Sequence, residues 1–260
     1  MKKLYVVGNK VSKSLSPTIF NYWFKKYNIK ASYGYLELAE RNFHKKIKEV
    51  LKKKDTFGLN ITIPFKNKII KHLSKIDPHA KKIGAVNCVT IKKTINGTNT
   101  DWTGYYKTLP KIKKTKNRKV VILGYGGASH AIHYVLKKRG FKDILIFNRS
   151  KKKIKYSKKT EYTKKYSDLE ASLGEVFLII NTTPINPILK KNLKLINKST
   201  IVSDIVYSPK NTTFLKQFPK NKKIYGISML IEQAKPCFKM WFGKNPSVDE
   251  KMLNAIYKKI

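Results

Sequence analysis

The stretch Lys119-Val-Val-Ile-Leu-Gly-Tyr-Gly-Gly-Ala-Ser-His-Ala131 constrains the fold more than any other part of the chain. Its short apolar run reads as a buried strand and its glycine cluster as a tight turn. The spacing of Ala131, Ile132, Val135 and Leu136 then reads as the packed stripe of a helix. A strand that turns through glycine directly into a helix points free backbone N–H groups, and the positive end of the helix dipole, at whatever lies before it. That arrangement holds a diphosphate. Gly124-x-Gly126-Gly127-Ala128 departs from the usual G-x-G-x-x-G spacing, and such clusters also occur in turns that bind nothing, so a nucleotide is an expectation and not a requirement.

Strands and helices alternate on both sides of this turn. Leu4 to Val7 reads as a strand, and Ser16-Pro17 as the N-cap and first-turn proline of a helix through Ile19, Tyr22, Trp23 and Phe24. Tyr33 to Leu38 is a second strand. Glu40 to Lys53 is a helix with Phe43, Ile47, Val50 and Leu51 on one face, and Phe57 to Ile63 is a third strand ending at Pro64. Pro64 is expected to open a short helix carrying Ile69 and Ile70, and Gly84 to Ile91 to lead into a strand pair turning at Asn96-Gly97. The polar, lysine-rich text from Trp102 to Asn117 reads as a connection. Strands follow at 119–123, 144–147, 176–180, 201–205 and 223–225, the pattern of a doubly wound sheet. Residues 229–241 and 247–260 read as helices, the second opened by a capping box, Ser247-x-x-Glu250. The fold class is therefore α/β: a first α/β unit with a mostly parallel sheet, then a Rossmann-type doubly wound unit.

The 260 residues carry Lys+Arg 57 against Asp+Glu 15, a formal net charge of +42. Such a charge suggests nucleic acid or an anionic membrane as partner, but the lysines are spread over nearly every helix and loop, the pattern of a solvated basic surface. Cys88 and Cys237 are too few for a disulfide framework. The four-residue apolar run near the N-terminus is too short for a secretory signal, and no stretch approaches the roughly 20 apolar residues of a membrane span. A soluble, cytoplasmic protein is expected, without a membrane partner. His130 and His133 lack an acidic or cysteine partner at ligand spacing, and His44, His72 and His79 form no better cluster, so no metal is expected.

Polar residues gather where simple packing does not require them. The strand after the glycine turn ends Asn148-Arg149-Ser150-Lys151-Lys152-Lys153, with no acidic residue to take a ribose 2′-hydroxyl. An arginine fork there suits a 2′-phosphate, which favours NADP over NAD. Upstream, Ser14-Leu-Ser16-Pro17, Asn60-Ile-Thr62-Ile-Pro64-Phe-Lys66 and Gly97-Thr-Asn-Thr-Asp101-Trp-Thr-Gly104 follow strands, at the end of a parallel sheet where ligands bind. A lysine and an aspartate brought together in such a cleft can act as an acid/base pair. Taken singly, each piece is better explained as a cap, a turn or a surface ion pair.

Together these pieces resemble shikimate dehydrogenases over essentially the whole chain. The resemblance rests on Asn60-x-Thr62-x-Pro64-x-Lys66, Gly84-Ala-Val-Asn87, Asn99-Thr-Asp101-x-x-Gly104, Asp204-x-Val-Tyr207-x-Pro209 and Met229-Leu-x-x-Gln233-Ala, in that order and flanking the glycine turn. It implies a substrate-binding and catalytic domain at 1–101 plus 226–260 and an NADP domain at 102–225. The implied reaction is reversible hydride transfer between NADPH and the carbonyl of 3-dehydroshikimate, with Lys66 and Asp101 as the catalytic pair. The resemblance further implies that Ser14 and Ser16 hold the substrate carboxylate and that Asn60, Thr62, Asn87, Tyr207 and Gln233 bind the rest of the substrate. Gly124, Gly126, Gly127 and Ala128 would meet the diphosphate, Asn148, Arg149, Ser150 and Lys153 the 2′-phosphate, and Ile205 and Gly226 the nicotinamide. A monomer or homodimer is compatible with it.

Some positions depart from the family pattern. Lys13 and Phe20 stand where histidines are common, His130 where an arginine often opens the nucleotide helix, and Cys88 where threonine is usual; Cys88 suits a small buried apolar role. Two other readings carry different expectations. A quinate/shikimate dehydrogenase would use NAD as well, against which the Asn148-Arg149-Ser150 run and the Ser14/Ser16 pair argue. A non-catalytic Rossmann-type protein would use its basic surface for nucleic acid, against which the presence of both Lys66 and Asp101 argues.

Overall fold

A computed structural model of the chain describes residues 1–154 and 160–260. The chain divides into two compact units, Met1–Thr100 with Ile231–Ile260, and Asp101–Leu230.

In the first unit, β1 (Lys2–Gly8), α1 (Ser16–Lys26), β2 (Ala31–Glu37), α2 (Phe43–Lys52) and β3 (Thr56–Ile61) form the expected alternation. β4 (Lys75–Ile76), α3 (Pro78–Ile83), β5 (Cys88–Ile91) and β6 (Ile95–Thr98) follow. The six strands lie in the order β2-β1-β3-β5-β6-β4. β1 pairs in parallel with β2 and β3, and β4 with β6, while β5 is antiparallel to β3 and β6. All four apolar positions of α2 are buried, packed with Val7, Leu59, Ile61 and Phe65, as a helix-period stripe against a strand-period face requires.

Four local expectations fail, each for a physical reason. The first residue of α1 is Ser16, and no side chain caps that helix; the Ser14 hydroxyl takes the Ser16 N–H instead, at 3.3 Å. After the cis Ile63–Pro64 bond the chain makes a turn, with Phe65 N–H on the Thr62 carbonyl at 2.9 Å. Ile69 then lies in a short 3₁₀ helix, Lys68–His72, which Pro64 does not open. The β5–β6 hairpin turns at Lys92–Thr94, and Gly97 sits inside β6 opposite Val89. The position is closely packed, since a Cβ would lie 2.3 Å from Leu73 Cδ1 and 3.1 Å from both Val86 methyls. Asp249, not Ser247, caps the last helix.

The second unit contains α4 (Asp101–Thr108), β7 (Lys119–Leu123), α5 (Gly127–Lys138), β8 (Ile144–Phe147), β9 (Val176–Asn181), β10 (Ile201–Asp204), α6 (Thr213–Lys216) and β11 (Lys223–Tyr225). Its five strands run parallel in the order β11-β10-β9-β7-β8. β7 shows why both faces are covered. Val120 and Ile122 pack with Ile132, Val135 and Leu136 of α5, while Val121 and Leu123 pack with Leu169, Leu173, Phe214 and Leu215. The lysine-rich text after Thr100 is not a plain connection: α4 occupies its first half and buries Tyr105 at 1% exposure, its hydroxyl 3.3 Å from Ser203 Oγ. The aromatic positions there outweigh the polar residues around them.

α7 (Gly226–Phe242) and α8 (Glu250–Tyr257) complete the chain. Asp249 caps α8 through the Met252 N–H at 2.9 Å, and it also receives the Tyr22 hydroxyl and the Lys26 ammonium, which ties α8 to α1. Ser247 instead receives Trp23 Nε1 on its carbonyl, at 2.9 Å. The residues of α7 from Ile231 onward belong to the first unit, where Phe238 and Trp241 pack among Phe20, Trp23 and Phe24. No helix among the described residues is long and apolar enough to cross a membrane.

His133 on α5 is 2% exposed, and its Nδ1 has no hydrogen-bond partner among the described residues. Burial, helped by the Lys137 charge, lowers its pKa from 6.5 to about 4. A pKa depressed by folding favours the native state only while the imidazole is neutral, so this contribution is lost as pH falls below 6.5 towards 4. The expected cost by pH 5 is about 2 kcal/mol. His133→Leu is expected to reduce the fall in thermal midpoint between pH 7.5 and pH 5, followed by circular dichroism; an equal fall in both proteins would contradict this account.

Candidate active site

Asn87 lies just before β5, and its side chain joins segments far apart in sequence. Its Oδ1 accepts the Thr100 N–H at 2.6 Å, and its Nδ2 donates to Thr100 Oγ1 at 2.9 Å and to Gln233 Oε1 at 3.2 Å. Asn60, in β3, receives the Tyr33 hydroxyl at 2.7 Å on Oδ1 and gives Nδ2 to the Asn87 carbonyl at 3.1 Å and to Cys237 Sγ at 3.2 Å. Asn60, Asn87, Thr100 and Gln233 are all buried. Three of the expected substrate residues are thus brought together, with Asn60 placed to brace Asn87. Thr100, Cys237 and Tyr33 complete the cluster without having been singled out in the sequence. Thr100 stands inside the Asn99-Thr-Asp101 motif, which was the one available signal; Cys237 and Tyr33 gave none.

Lys66 is 9% exposed, and its carbonyl accepts the Val86 N–H at 2.7 Å, which fastens the Thr62–Lys66 turn to the Gly84–Asn87 loop. Gly84 permits that loop, since it ends α3 in the left-handed conformation, φ +66°. Thr62 packs against Gly8, where a Cβ would lie 2.6 Å from Thr62 Cγ2. Ser14 lies between β1 and α1 and is half-buried, and Ser16 opens α1 and is buried. Asp101 is the first residue of α4 and 6% exposed. Of the departures from the family pattern, Phe20 is buried and stacks on Tyr33 with ring centroids 4.5 Å apart, Lys13 is exposed, and Cys88 is fully buried.

In the second unit, Gly124 has φ +97°, and a Cβ there would lie 2.6 Å from both Thr182 Oγ1 and Thr183 Cγ2. Gly126 precedes α5, and a Cβ added to it meets nothing within 4 Å. The first helical bond of α5 runs from His130 N–H to the Gly126 carbonyl at 3.0 Å, so the N–H groups of residues 127–129 precede it. This space before a helix N-terminus fits a diphosphate. The His130 ring packs on Tyr125, centroids 4.5 Å apart.

Arg149 and Ser150 are exposed just after β8. The loop holding them is cross-braced. Asn148 Nδ2 donates to the Ser150 carbonyl at 2.9 Å, and Thr163 Oγ1 donates to that carbonyl at 3.2 Å while accepting the Lys152 N–H at 3.0 Å. Lys153 bridges to Tyr162. Tyr166 stands close enough for Arg149 to act on it: burial raises its pKa and the Arg149 charge lowers it. Donors of this kind, with no acidic residue in the 148–153 run, fit a phosphate monoester. Ile205 and Gly226 meet: a Cβ on Gly226 would lie 2.4 Å from the Ile205 carbonyl oxygen. Tyr207 follows on the same turn, half-buried. No group of three or more potential metal ligands occurs among the described residues.

A parallel doubly wound sheet with a glycine turn opening its central helix, joined to a second α/β unit holding a buried polar cluster, is the make-up of a dinucleotide-dependent dehydrogenase. Two family models match the chain: the shikimate dehydrogenase substrate binding domain over residues 6–89, and shikimate / quinate 5-dehydrogenase over residues 107–213. The chain belongs to the shikimate dehydrogenase family. It is 36% identical to the shikimate dehydrogenase (NADP(+)) of Staphylococcus haemolyticus, over 99% of this chain and 98% of that one. The crystal structure of shikimate dehydrogenase from Aquifex aeolicus is similar with a TM-score of 0.86 and 32% identity, covering 98% of this chain and 97% of that one. A shikimate dehydrogenase solved in complex with NADP+ is similar with a TM-score of 0.83 and 30% identity, covering 100% of this chain and 96% of that one.

Thr100→Val removes the hydroxyl that accepts from Asn87 Nδ2 but leaves the backbone donor in place. It is expected to destabilise the chain by about 1–3 kcal/mol, the cost of a buried polar group losing its partner, and Thr100→Ser by much less. Urea unfolding of the three proteins measures this; equal midpoints for valine and serine would show that the hydroxyl is not needed.

Proposed function

We propose that the chain catalyses the reversible NADP-dependent interconversion of shikimate and 3-dehydroshikimate. The observation that carries this reading is the occurrence, in one chain of this family, of the glycine turn before α5, the basic run after β8 and the complete set Ser14, Ser16, Asn60, Thr62, Lys66, Asn87, Asp101, Tyr207 and Gln233. NADPH, when bound, supplies the hydride that converts the ketone to an alcohol.

The residues divide that work. Ser14 and Ser16 donate to the substrate carboxylate, and Thr62, Asn87 and Gln233 hold the ring hydroxyls, with Thr100 fixing which way the Asn87 carboxamide faces and Asn60 holding the Asn87 backbone carbonyl. Lys66 gives a proton to the developing alkoxide in the reductive direction, and Asp101 orients the ammonium. In the oxidative direction Lys66 takes the hydroxyl proton. The N–H groups before α5 hold the diphosphate. Arg149, with Asn148, Ser150 and Lys153, takes the 2′-phosphate, and Ile205, Gly226 and Tyr207 line the nicotinamide and substrate end. The first unit serves as substrate and catalytic domain and the second as NADP domain. The absence of an acidic residue from the 148–153 run supports NADP over NAD.

Three measurements test this reading. Shikimate is expected to reduce NADP+, followed at the absorbance of the reduced nicotinamide, in preference to NAD+ and to quinate; absence of turnover with every pairing would end the enzyme reading. Lys66→Ala is expected to lower kcat by about a hundredfold or more, the usual weight of a general acid, with a much smaller effect on shikimate affinity; equal losses would argue against a catalytic lysine. Arg149→Ala is expected to raise KM for NADP+ by roughly tenfold, the loss of one charge-assisted contact, while KM for NAD+ stays nearly constant. Equal changes would remove the 2′-phosphate role.

A further inference from the structure

We infer that Asp204 is a positioning residue for hydride transfer, its carboxylate gripped by Thr212 and setting the turn that carries Ile205 and Tyr207. The inference rests on the function proposed above, which places those two residues beside the nicotinamide and the substrate.

Asp204 ends β10 and is 1% exposed. One carboxylate oxygen accepts the Val206 N–H at 3.0 Å and Asn181 Nδ2 at 3.3 Å; the other accepts the Thr212 hydroxyl at 2.6 Å. Three segments therefore converge on one side chain. Asn181 belongs to the end of β9, and its Nδ2 also reaches the carbonyls of Thr183 and Ile185, both at 3.1 Å. Its own carbonyl takes the Ile205 N–H at 3.1 Å. Thr212 caps α6, its hydroxyl oxygen accepting the Leu215 N–H at 3.2 Å. With Gly226 closing on the Ile205 and Val206 carbonyls, the 205–206 backbone is held from both sides.

Every donor to Asp204 among the described residues is neutral. Burial raises its pKa above the ordinary aspartate value, and the hydrogen bonds from Thr212, Val206 and Asn181 only partly offset that. A carboxyl whose pKa rises on folding makes the native state less stable once it ionises. What the carboxylate supplies is an acceptor on each side. The Thr212 oxygen accepts from Leu215 while its proton goes to the second Asp204 oxygen, so donors approach both carboxylate oxygens. Asparagine has one acceptor oxygen, so in either orientation its amide N–H would face a donor on one side and leave that donor without an acceptor.

The experiment compares wild-type chain with Asp204→Asn, Thr212→Val and Thr212→Ser, measuring kcat, KM for shikimate, the dissociation constant for NADP+ and the thermal midpoint. Asp204→Asn and Thr212→Val are expected to lower kcat by about tenfold, equivalent to about 1.4 kcal/mol of transition-state stabilisation. NADP+ affinity should change by less than about threefold, because the contacts at Gly124–Ala128 and Arg149 lie elsewhere. Thr212→Ser, which keeps the hydroxyl, should retain wild-type kcat. A wild-type kcat in Asp204→Asn, an equal loss in both Thr212 variants, or a kcat loss that follows loss of folded protein would each overturn the positioning role. A wild-type chain without shikimate turnover would overturn the function itself, before any variant is compared.

Discussion

The side-chain carboxamide of Asn87 is the joint on which the first unit depends. It accepts from the backbone of Thr100 and donates to side chains of Thr100 and Gln233, so the start of β5, the segment after β6 and α7 must all be in place before all three are satisfied. A buried network of this kind is stabilising when complete and costly when one member is missing. Apolar packing brings the pieces close enough. Gly58 on β3 has no side chain, and a Cβ there would lie 2.4 Å from Trp241 Nε1. The indole therefore settles onto the sheet, donating to the Val89 carbonyl at 3.1 Å. Gln233 lies two helical turns before Trp241 on α7, and this seating of the helix holds it at the Asn87 cluster.

The second unit solves a different problem, how to keep open the end of a sheet covered on both faces. Its strand order places β8 on one side of β7 and β9 on the other. The connections leaving β7 and β9 consequently part company at the carboxyl end of the sheet, the place where open parallel sheets bind ligands. Gly124 sits at that parting, close against Thr182 from the β9 side. The chemistry-bearing residues of this unit follow the same rule. Asn148 and Arg149 come after β8, Asn181 ends β9 and Asp204 ends β10. None interrupts a strand whose side chains fill both hydrophobic clusters.

Periodic features were legible in sequence, and features set by close approach were not. The α2 stripe, the α5 stripe and the five strands of the second unit follow from apolar spacing alone, because burial imposes that spacing directly. The hairpin was misplaced because Asn96-Gly97 has the chemistry of a turn, while the glycine packs closely against Leu73, a neighbour distant in sequence. α4 was missed because its buried face is aromatic and brief amid lysines, and the cap of α8 because Ser247 and Asp249 are both good capping residues and only tertiary contacts to α1 decide between them. The same limit applies to the site. Motifs marked Asn87, Gln233 and Asn60, but the tyrosine and the cysteine that hold them come from segments without motif character.

The charge balance gives the acidic residues unusual weight. With 15 of them among 57 basic ones, a randomly placed carboxylate would find a lysine almost anywhere and contribute little there, since exposed ion pairs are screened and cost side-chain entropy. Several are instead spent on backbone. Asp77 takes the N–H groups of His79 and Ala80 at the start of α3, and Asp249 does the same for α8 while binding α1. Glu37 takes the N–H groups of Val11 and Ser12 at 2.8 and 2.9 Å, which holds its pKa below the usual range. Asp204 takes Val206. These are tasks no lysine can perform, because an ammonium only donates. A basic surface can thus vary widely with little effect on the fold, whereas the few carboxylates that accept backbone N–H groups fix helix starts and turns, and through the turn after β1 and the turn after β10 they also fix the segments carrying Ser14 and Tyr207.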